Sequence, residues 1–428
     1  MNKAKFILTT VVCLLLLLTI EPFSSLRAEA NTHDAPALVW SKTYGPYIGY
    51  SVIQTTDGCF AVAGQNATYR PFEPHMPSRW ENYTALLLKI DKEGNLLWDK
   101  TYKNHVGEGG FLDRANSIVE TTDLGYALSG GNWLLKVNSE GNVEWKKTYN
   151  DLENCRAIQT SDGGYAVIGN TIINDNSYSV DSILLKIDSN GNTLWTKTFS
   201  SNLPQRNDVY AEYIWQTSNG DYVITGSWHA TFWFVKLGSN GNLIFNQTYD
   251  EIANVGAHFT SVSQTTDGGF ILSGYNIDSK EVPWSGWIVK TDSQGAVQWI
   301  FHREEPANEL LRGVEFMSVI QTTDGGYIAV GRPTIVKLKS NGVLEWNMTG
   351  YSAFSVALTD NDGFIVAGGQ GDTTGPNQQL WVARFDLEST IPNGETIPFP
   401  STISLITIVI IITAVIIGLL VYLKKHKR

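Results

Sequence analysis

Gln159-Thr160-Ser161-Asp162-Gly163-Gly164-Tyr165 is followed, after two apolar runs, by Lys186-Ile187-Asp188-Ser189-Asn190-Gly191-Asn192-Thr193-Leu194-Trp195. Together they form one period of a unit that the chain spells seven times with variations. The turn of that unit recurs at Asp57-Gly58, Asp123, Asp162-Gly163-Gly164, Asn219-Gly220, Asp267-Gly268-Gly269, Asp324-Gly325-Gly326 and Asp362-Gly363. The mean period is about 51 residues, within the range of propeller and solenoid repeats. Each unit resolves into four short strands, a to d, bounded by turn signals. In the first unit these are residues 51–55, 60–64, 85–90 and 95–102. The expected fold class is therefore all-β, a seven-bladed β-propeller spanning residues 31–386.

Both the a-to-b turn and the c-to-d turn (Asp91-Lys92-Glu93-Gly94-Asn95 in the first unit) are tight reversals built on Asp, Asn and Gly, residues that supply local acceptors and a positive φ. Both lie on one face of the disc, so the b-to-c and d-to-a connections, which vary in length, lie on the other. Variable loops over a constant scaffold are where binding usually resides. The last c-strand, residues 380–385, has no d-strand after it, whereas residues 38–44 form a strand with no unit before it. The N-terminal strand is expected to complete the seventh blade and so remove an exposed edge.

Seven d-strand aromatics, Trp40, Trp98, Trp145, Trp195, Phe245, Trp299 and Trp346, are expected to dock between blades. A ring of Lys89, Lys136, Lys186, Lys236, Lys290, Lys337 and Arg384 precedes the c-to-d turns. Its regularity points to structural pairing with the turn carboxylates, and the turn Asp residues are expected to cap their own turns. Trp133, Trp233, Trp287 and Trp381 share one c-strand position, and Trp215, in an a-strand, is expected in the core. Trp80, Trp228 and Trp284 fall in b-to-c connections, the last two in consecutive blades and flanked by His229, Glu251, His258, Asp278 and Glu281. Such indoles either offer a stacking platform for a sugar ring or pack their own loops down. The first connection, residues 65–84, adds Tyr69, Arg70, Phe72 and Arg79.

The ends of the chain carry an address. Residues 1–30 read as a signal peptide, with Lys3 and Lys5, an apolar run from Val11 to Leu18 and the small-x-small site Ala28-Glu29-Ala30. Residues 387–402 read as a proline-bearing stalk. Residues 403–423 are uncharged and apolar, long enough to span a bilayer as a transmembrane helix. The basic tail 424–428 places the C-terminus in the cytoplasm and the propeller outside the cell membrane, as a single-pass protein. Without the leader and tail, 24 basic and 40 acidic residues remain, a net charge near −16. That charge argues against nucleic acid as a partner. Asn66, Asn82, Asn246 and Asn347 open glycosylation sequons. Cys59 and Cys155 lie in the first and third units, too far apart in a ring for a disulfide.

The Lys-x-Asp-x-x-Gly-Asn-x-x-Trp element, as in Lys89 to Trp98, resembles the tryptophan-docking repeat of quinoprotein-type propellers. Its combination with Gln-Thr-Thr-Asp-Gly-Gly-Tyr is similar to tandem repeats of archaeal cell-surface propeller proteins. The tail around Pro398-Phe399-Pro400 likewise resembles archaeal surface-protein sorting tails, although their common form is Pro-Gly-Phe. The resemblance covers residues 38–386 and implies a propeller. It departs from the quinoprotein dehydrogenases in having seven repeats and no adjacent cysteine pair, so no quinone cofactor is expected. His-Glu-x-x-His, Gly-x-Ser-x-Gly, cysteine metal clusters and phosphate loops are absent from the sequence, so no catalytic residue, metal or other cofactor is assigned. The expected function is an extracellular binding or cell-envelope interaction module for a glycan or a surface protein. Two other readings stay open: a carbohydrate-active hydrolase or lyase using loop carboxylates, and a structural coat protein.

Overall fold

The computed structural model describes residues 36–70, 79–103, 113–173, 179–200, 208–253, 256–277, 284–304, 313–370 and 379–387. The expected signal peptide, transmembrane segment and basic tail, and the stalk beyond residue 387, lie outside them. Among the described residues no helix is long and apolar enough to cross a membrane.

The described strands form seven antiparallel four-stranded sheets. After β1 (Ala37–Tyr44), the first blade holds β2 (Tyr47–Gln54), β3 (Phe60–Arg70), β4 (Arg79–Ile90) and β5 (Leu96–Tyr102). The second holds β6 (Ser117–Glu120), β7 (Tyr126–Gly130), β8 (Trp133–Val137) and β9 (Val143–Thr148). The third holds β10 (Glu153–Gln159), β11 (Tyr165–Ile173), β12 (Ser179–Ile187) and β13 (Thr193–Phe199). The fourth holds β14 (Val209–Gln216), β15 (Tyr222–Trp228), β16 (Thr231–Leu237) and β17 (Leu243–Thr248). The fifth holds β18 (Ala257–Gln264), β19 (Phe270–Asn276), β20 (Ser285–Thr291) and β21 (Val297–Glu304). The sixth holds β22 (Glu315–Gln321), β23 (Tyr327–Arg332), β24 (Thr334–Leu338) and β25 (Leu344–Thr349). In the seventh, β26 (Ala353–Leu358), β27 (Gly363–Gln370) and β28 (Gln379–Asp386) are completed by β1, which pairs antiparallel with β28 and sets Trp40 opposite Arg384.

Docking follows the sequence pattern. Each indole of Trp40, Trp98, Trp145, Trp195 and Trp299 meets, edge to face, the first aromatic ring of the next blade's b-strand. Trp346 stacks on Phe364, and Phe245 meets Phe234, which in turn meets Phe270. Trp98 also lies against the c-to-d glycine of the following blade, Gly141, where a Cβ would come within 3.1 Å of the ring. Such packed aromatics contribute on the order of 3 kcal/mol each.

The basic ring is structural as well. Lys186 is buried and its Nζ lies 2.9 Å from Asp162, whose other contacts come from the Thr160 hydroxyl and the Gly164 amide. Five other lysines pair likewise with Asp57, Asp123, Asp221, Asp267 and Asp324, and Arg384 pairs with Asp386. The turn carboxylates therefore cap their turns and hold the lysines. Burial alone would raise their pKa values, but the hydroxyl, ammonium and amide donors outweigh it and hold Asp57, Asp123, Asp162 and Asp267 at about 2.

The Gln of each Gln-Thr pair fastens neighbouring blades. Gln159, Gln216, Gln264 and Gln321 each accept a hydrogen bond from the turn amide of the preceding blade, at 2.8 to 3.0 Å. Glu120 does the same for Thr56, and Gln54 for Asp360. Leu358 stands at the seventh position and has no side-chain acceptor to offer.

Three local readings change. β3 and β4 extend into the connection expected over residues 65–84, pairing Tyr69 with Trp80 and Arg70 with Arg79; residues 71–78 lie outside the described residues. Trp228 ends a strand, and His229 and Ala230, with φ of 53° and 62°, make a two-residue hairpin turn. Trp215 is 37 % exposed and faces the central channel instead of the core. Cys59 and Cys155 are both free.

Candidate functional site

The a-strands of all seven blades enclose a central channel of about 1150 Å³. Their first residues lie at the end away from the tight turns, so the mouth on that face is framed by the start of each a-strand and the end of each b-strand.

A repeated irregularity shapes this mouth. Pairing between a- and b-strands skips one residue at Tyr50, Glu212, Thr260, Met317 and Phe354, and two at Asn154 and Cys155. A β-bulge leaves the extra residue unpaired and re-aims its side chain. Here Tyr50, Asn154, Glu212, Thr260, Met317 and Phe354 all line the channel. The last glycine of the b-strand makes the bulge possible. A Cβ on Gly331 would stand 1.7 Å from the Glu315 carbonyl oxygen, one on Gly226 1.8 Å from that of Tyr210 and one on Gly64 1.9 Å from that of Ile48. The repeat thus fixes the glycine and leaves the bulged residue free to differ from blade to blade.

Two of the bulged residues, Tyr50 and Phe354, join Arg114, Arg156, Tyr213 and Arg332 in an arc of guanidinium groups and aromatic rings. Arg156 lies over Tyr213, Arg114 over Tyr50 and Arg332 over Phe354, at 5.4 to 5.6 Å from the ring centroids. The Tyr50 and Phe354 rings are themselves 5.7 Å apart. Arg114 and Arg156 reach across the same blade junction in opposite directions: Arg114 donates to Asn154 Oδ1 and Arg156 to the Asn116 carbonyl, both at 3.3 Å. Burial pushes the Arg156 guanidinium below its ordinary pKa; Glu212 and Tyr213 oppose that, and the like charge of Arg114 adds to it. Arg332 is neutralised by Glu315. Neither Arg114 nor Arg156 forms an ion pair among the described residues, and the Nε groups of Arg114 and Arg332 are buried with no hydrogen-bond partner there. All six members of the arc are half-buried and line the channel.

The residues singled out from sequence divide. Trp284 stacks on Tyr275 at 5.6 Å, and Tyr275 stacks on His258 at 5.9 Å, a column that ends near Tyr210. Burial lowers the His258 pKa, and the channel-lining Glu212 opposes the shift. Trp228 belongs to another cluster, leaning on His229 and Trp233. Glu251 is exposed after β17, and Trp80 lies in β4. Glu281 and Asp278 lie outside the described residues. Among the sequons, Asn66, Asn82, Asn246 and Asn347 all fall in strands, and Asn246 Oδ1 accepts a hydrogen bond from Trp233 Nε1. Among the described residues no cluster of His, Cys, Asp and Glu could hold a metal ion.

Sequence reasoning missed the arc because all its members but Arg114 lie in strands that read as core. A signal was present. Ser51, Ser117, Ser261, Ser318 and Ser355 occupy one a-strand position in five blades, and Arg156 and Tyr213 replace it in the other two.

No family model matches the chain, and no curated protein is similar to it in sequence. The archaeal and quinoprotein resemblances therefore rest on their motifs alone. Among solved structures, the Pan2 WD40 domain of Neurospora crassa superposes with a TM-score of 0.50 at 11 % identity, covering 85 % of this chain and 97 % of that one. Sqt1 from Chaetomium thermophilum gives 0.48 at 9 % identity, over 84 % and 87 %. A protein of unknown function from Bacteroides caccae gives 0.40 at 15 % identity, over 62 % and 89 %. The first supports the propeller architecture, and none of the three bears on function.

Proposed function

We propose that this chain is a membrane-anchored extracellular propeller that binds a glycan of the cell envelope at the mouth of its channel. Propellers host binding and catalysis alike, so the reading rests on the site. The observation that carries it is the arc of Arg156, Tyr213, Arg114, Tyr50, Phe354 and Arg332, which breaks the sevenfold repeat on the face where connections vary. Flat aromatic surface alternating with fixed donors suits a polyhydroxylated ring, and a cavity of about 1150 Å³ has room for several of them. The anchoring part of the proposal rests on the leader, the apolar run 403–423 and the basic tail that follows it.

A glycan array probed with the full-length chain in detergent micelles tests the binding, with incubation of each hit followed by product analysis. Binding without turnover is the expected result. Turnover would move the chain to the hydrolase or lyase reading, for which the channel-lining Glu212 and, within its electrostatic reach, His258 and Tyr275 are the groups to examine. A chain that captures no glycan acts as a protein-binding or coat element instead. Protease added to intact cells tests the orientation: a C-terminal tag should stay protected while the propeller is released.

A further inference from the structure

We propose that the ligand of the channel mouth is an acidic saccharide, whose carboxylates are received by Arg114 and Arg156. The inference deepens the glycan reading above and rests on it.

The chain outside its leader and tail carries a net charge near −16, yet the lining of this mouth gathers three guanidinium groups against the Glu212 carboxylate. Arg332 is matched by Glu315, which leaves Arg114 and Arg156 as the cations without an ion-pair partner among the described residues. Their crossed hydrogen bonds to Asn154 and to the Asn116 carbonyl hold two like charges at one blade junction. Glu212 offsets part of the cost of holding Arg156 half-buried, but desolvation and the like charge of Arg114 still act in one direction, so an added anion at this junction is favoured. An arginine fork matches a carboxylate in two parallel hydrogen bonds.

The neighbouring groups select what carries the carboxylate. Tyr50 and Tyr213 back the two guanidiniums and fix their planes. Phe354 continues the aromatic wall, while Asn116, Asn154, Thr260 and Ser261 supply neutral donors and acceptors along the lining. Glu212, close by, disfavours a densely charged polyanion such as a polyphosphate. One negative charge per sugar ring, spaced by hydroxyls, meets all three conditions.

The test is titration calorimetry of the full-length protein in detergent micelles against a panel of oligouronates built on glucuronate, galacturonate and mannuronate. The carboxyl-reduced counterparts and one sulfated neutral oligosaccharide serve as comparisons. An oligouronate should bind, its reduced counterpart should bind roughly tenfold more weakly or worse, and affinity should fall with added salt. Arg114→Gln and Arg156→Gln should each weaken binding by about tenfold or more while keeping a cooperative melt, and Arg156→Lys should recover part of the loss. Should either Gln variant fail to fold, the salt dependence and the reduced oligosaccharides still decide. Equal binding of acidic and reduced forms would overturn the inference and leave the glycan reading standing. Preference for the sulfated sugar, or oligouronate binding indifferent to both arginines, would overturn it as well. If no oligouronate binds, the inference fails; whether any neutral glycan binds then decides the broader reading separately.

Discussion

Arg156 of the third blade lies 5.6 Å from the centroid of the Tyr213 ring of the fourth, and both residues stand where the other five blades carry serine. The backbone at that position accepts serine five times over, so the pair is not required by the fold. Exchanging both for serine should therefore leave the propeller intact, with stability changed by about 1–2 kcal/mol for the lost cation–π contact and packing. Glycan capture by the same variant should drop to background. A folded double variant that still captures glycan at wild-type level would remove the channel mouth from consideration.

The bulges can be tested apart from any ligand. Gly331→Ala would force a methyl against the Glu315 carbonyl oxygen, which is backbone and has nowhere to retreat. A loss of about 3 kcal/mol or more is expected, at the upper end of overpacking effects. Gly163→Ala is the comparison: its φ is +81° but no atom lies within 4 Å of the new Cβ, so only the backbone term of roughly 1 kcal/mol applies. Chemical denaturation of both variants decides it. Equal losses would show that the carbonyl contact opposite Gly331, whose φ is not positive, is not what demands glycine there.

The scaffold was legible in the sequence because its determinants repeat. Tight turns, docking tryptophans and the Lys–Asp pairs each occur about once per blade, so the same reading was confirmed several times over by the chain itself. The orphan strand at residues 38–44 then had one place to go. The site was less legible for the opposite reason: Tyr50, Glu212 and Phe354 are single occurrences. They sit in strands whose alternation reads as buried, and a bulge reverses the facing of a residue without leaving a trace in a period-two pattern. Trp215 was misplaced in the core on the same ground. Glycine at the end of every b-strand was visible as a motif, but only the carbonyl contact opposite it tells why it is there. Trp284 and His258 were both reached from sequence as residues of variable loops, whereas His258 stands in β18 and Tyr275, which stacks between them, had no linear signature.

Acid should loosen the ring in a defined window. Asp57, Asp123, Asp162 and Asp267 titrate at about 2 in the folded chain, below their ordinary 3.8. A carboxyl depressed on folding stabilises above its unfolded pKa and loses that contribution as pH falls through the folded one. The melting temperature should thus be nearly flat from pH 7 to 5 with respect to these groups, and fall between pH 4 and pH 2. Asp162→Asn should lower stability at pH 7 and flatten the acid limb, since one titrating pair is gone. The carboxylates are more than half exposed, so each pair contributes modestly. A melting temperature insensitive to pH down to 2 would mean that the buried lysines draw nothing from their partners.

The sharpest structural test is at the closure of the ring. β1 belongs by hydrogen bonding to the seventh blade, yet its side chains fasten the first: Trp40 Nε1 donates to the Lys92 carbonyl at 2.9 Å, Lys42 Nζ to Asn95 Oδ1 at 2.8 Å and the Tyr44 hydroxyl to the Gly94 carbonyl at 2.7 Å. Removing residues 37–44 exposes the edge of β28 and unfastens the first and seventh blades together. Such a truncation should fail to fold cooperatively, or fold with a loss of several kcal/mol and associate through the open edge. Trp40→Ala should cost about 3 kcal/mol, similar to Trp98→Ala at an internal junction. The two should differ in one respect. In the first blade the two outermost strands are joined by a tight turn of the chain, whereas in the seventh β28 and β1 are held by strand pairing and side chains alone, so Trp40→Ala alone should show concentration-dependent association by sedimentation velocity. A truncated protein with unchanged melting temperature and a monomeric boundary would show that the ring does not depend on its N-terminal strand.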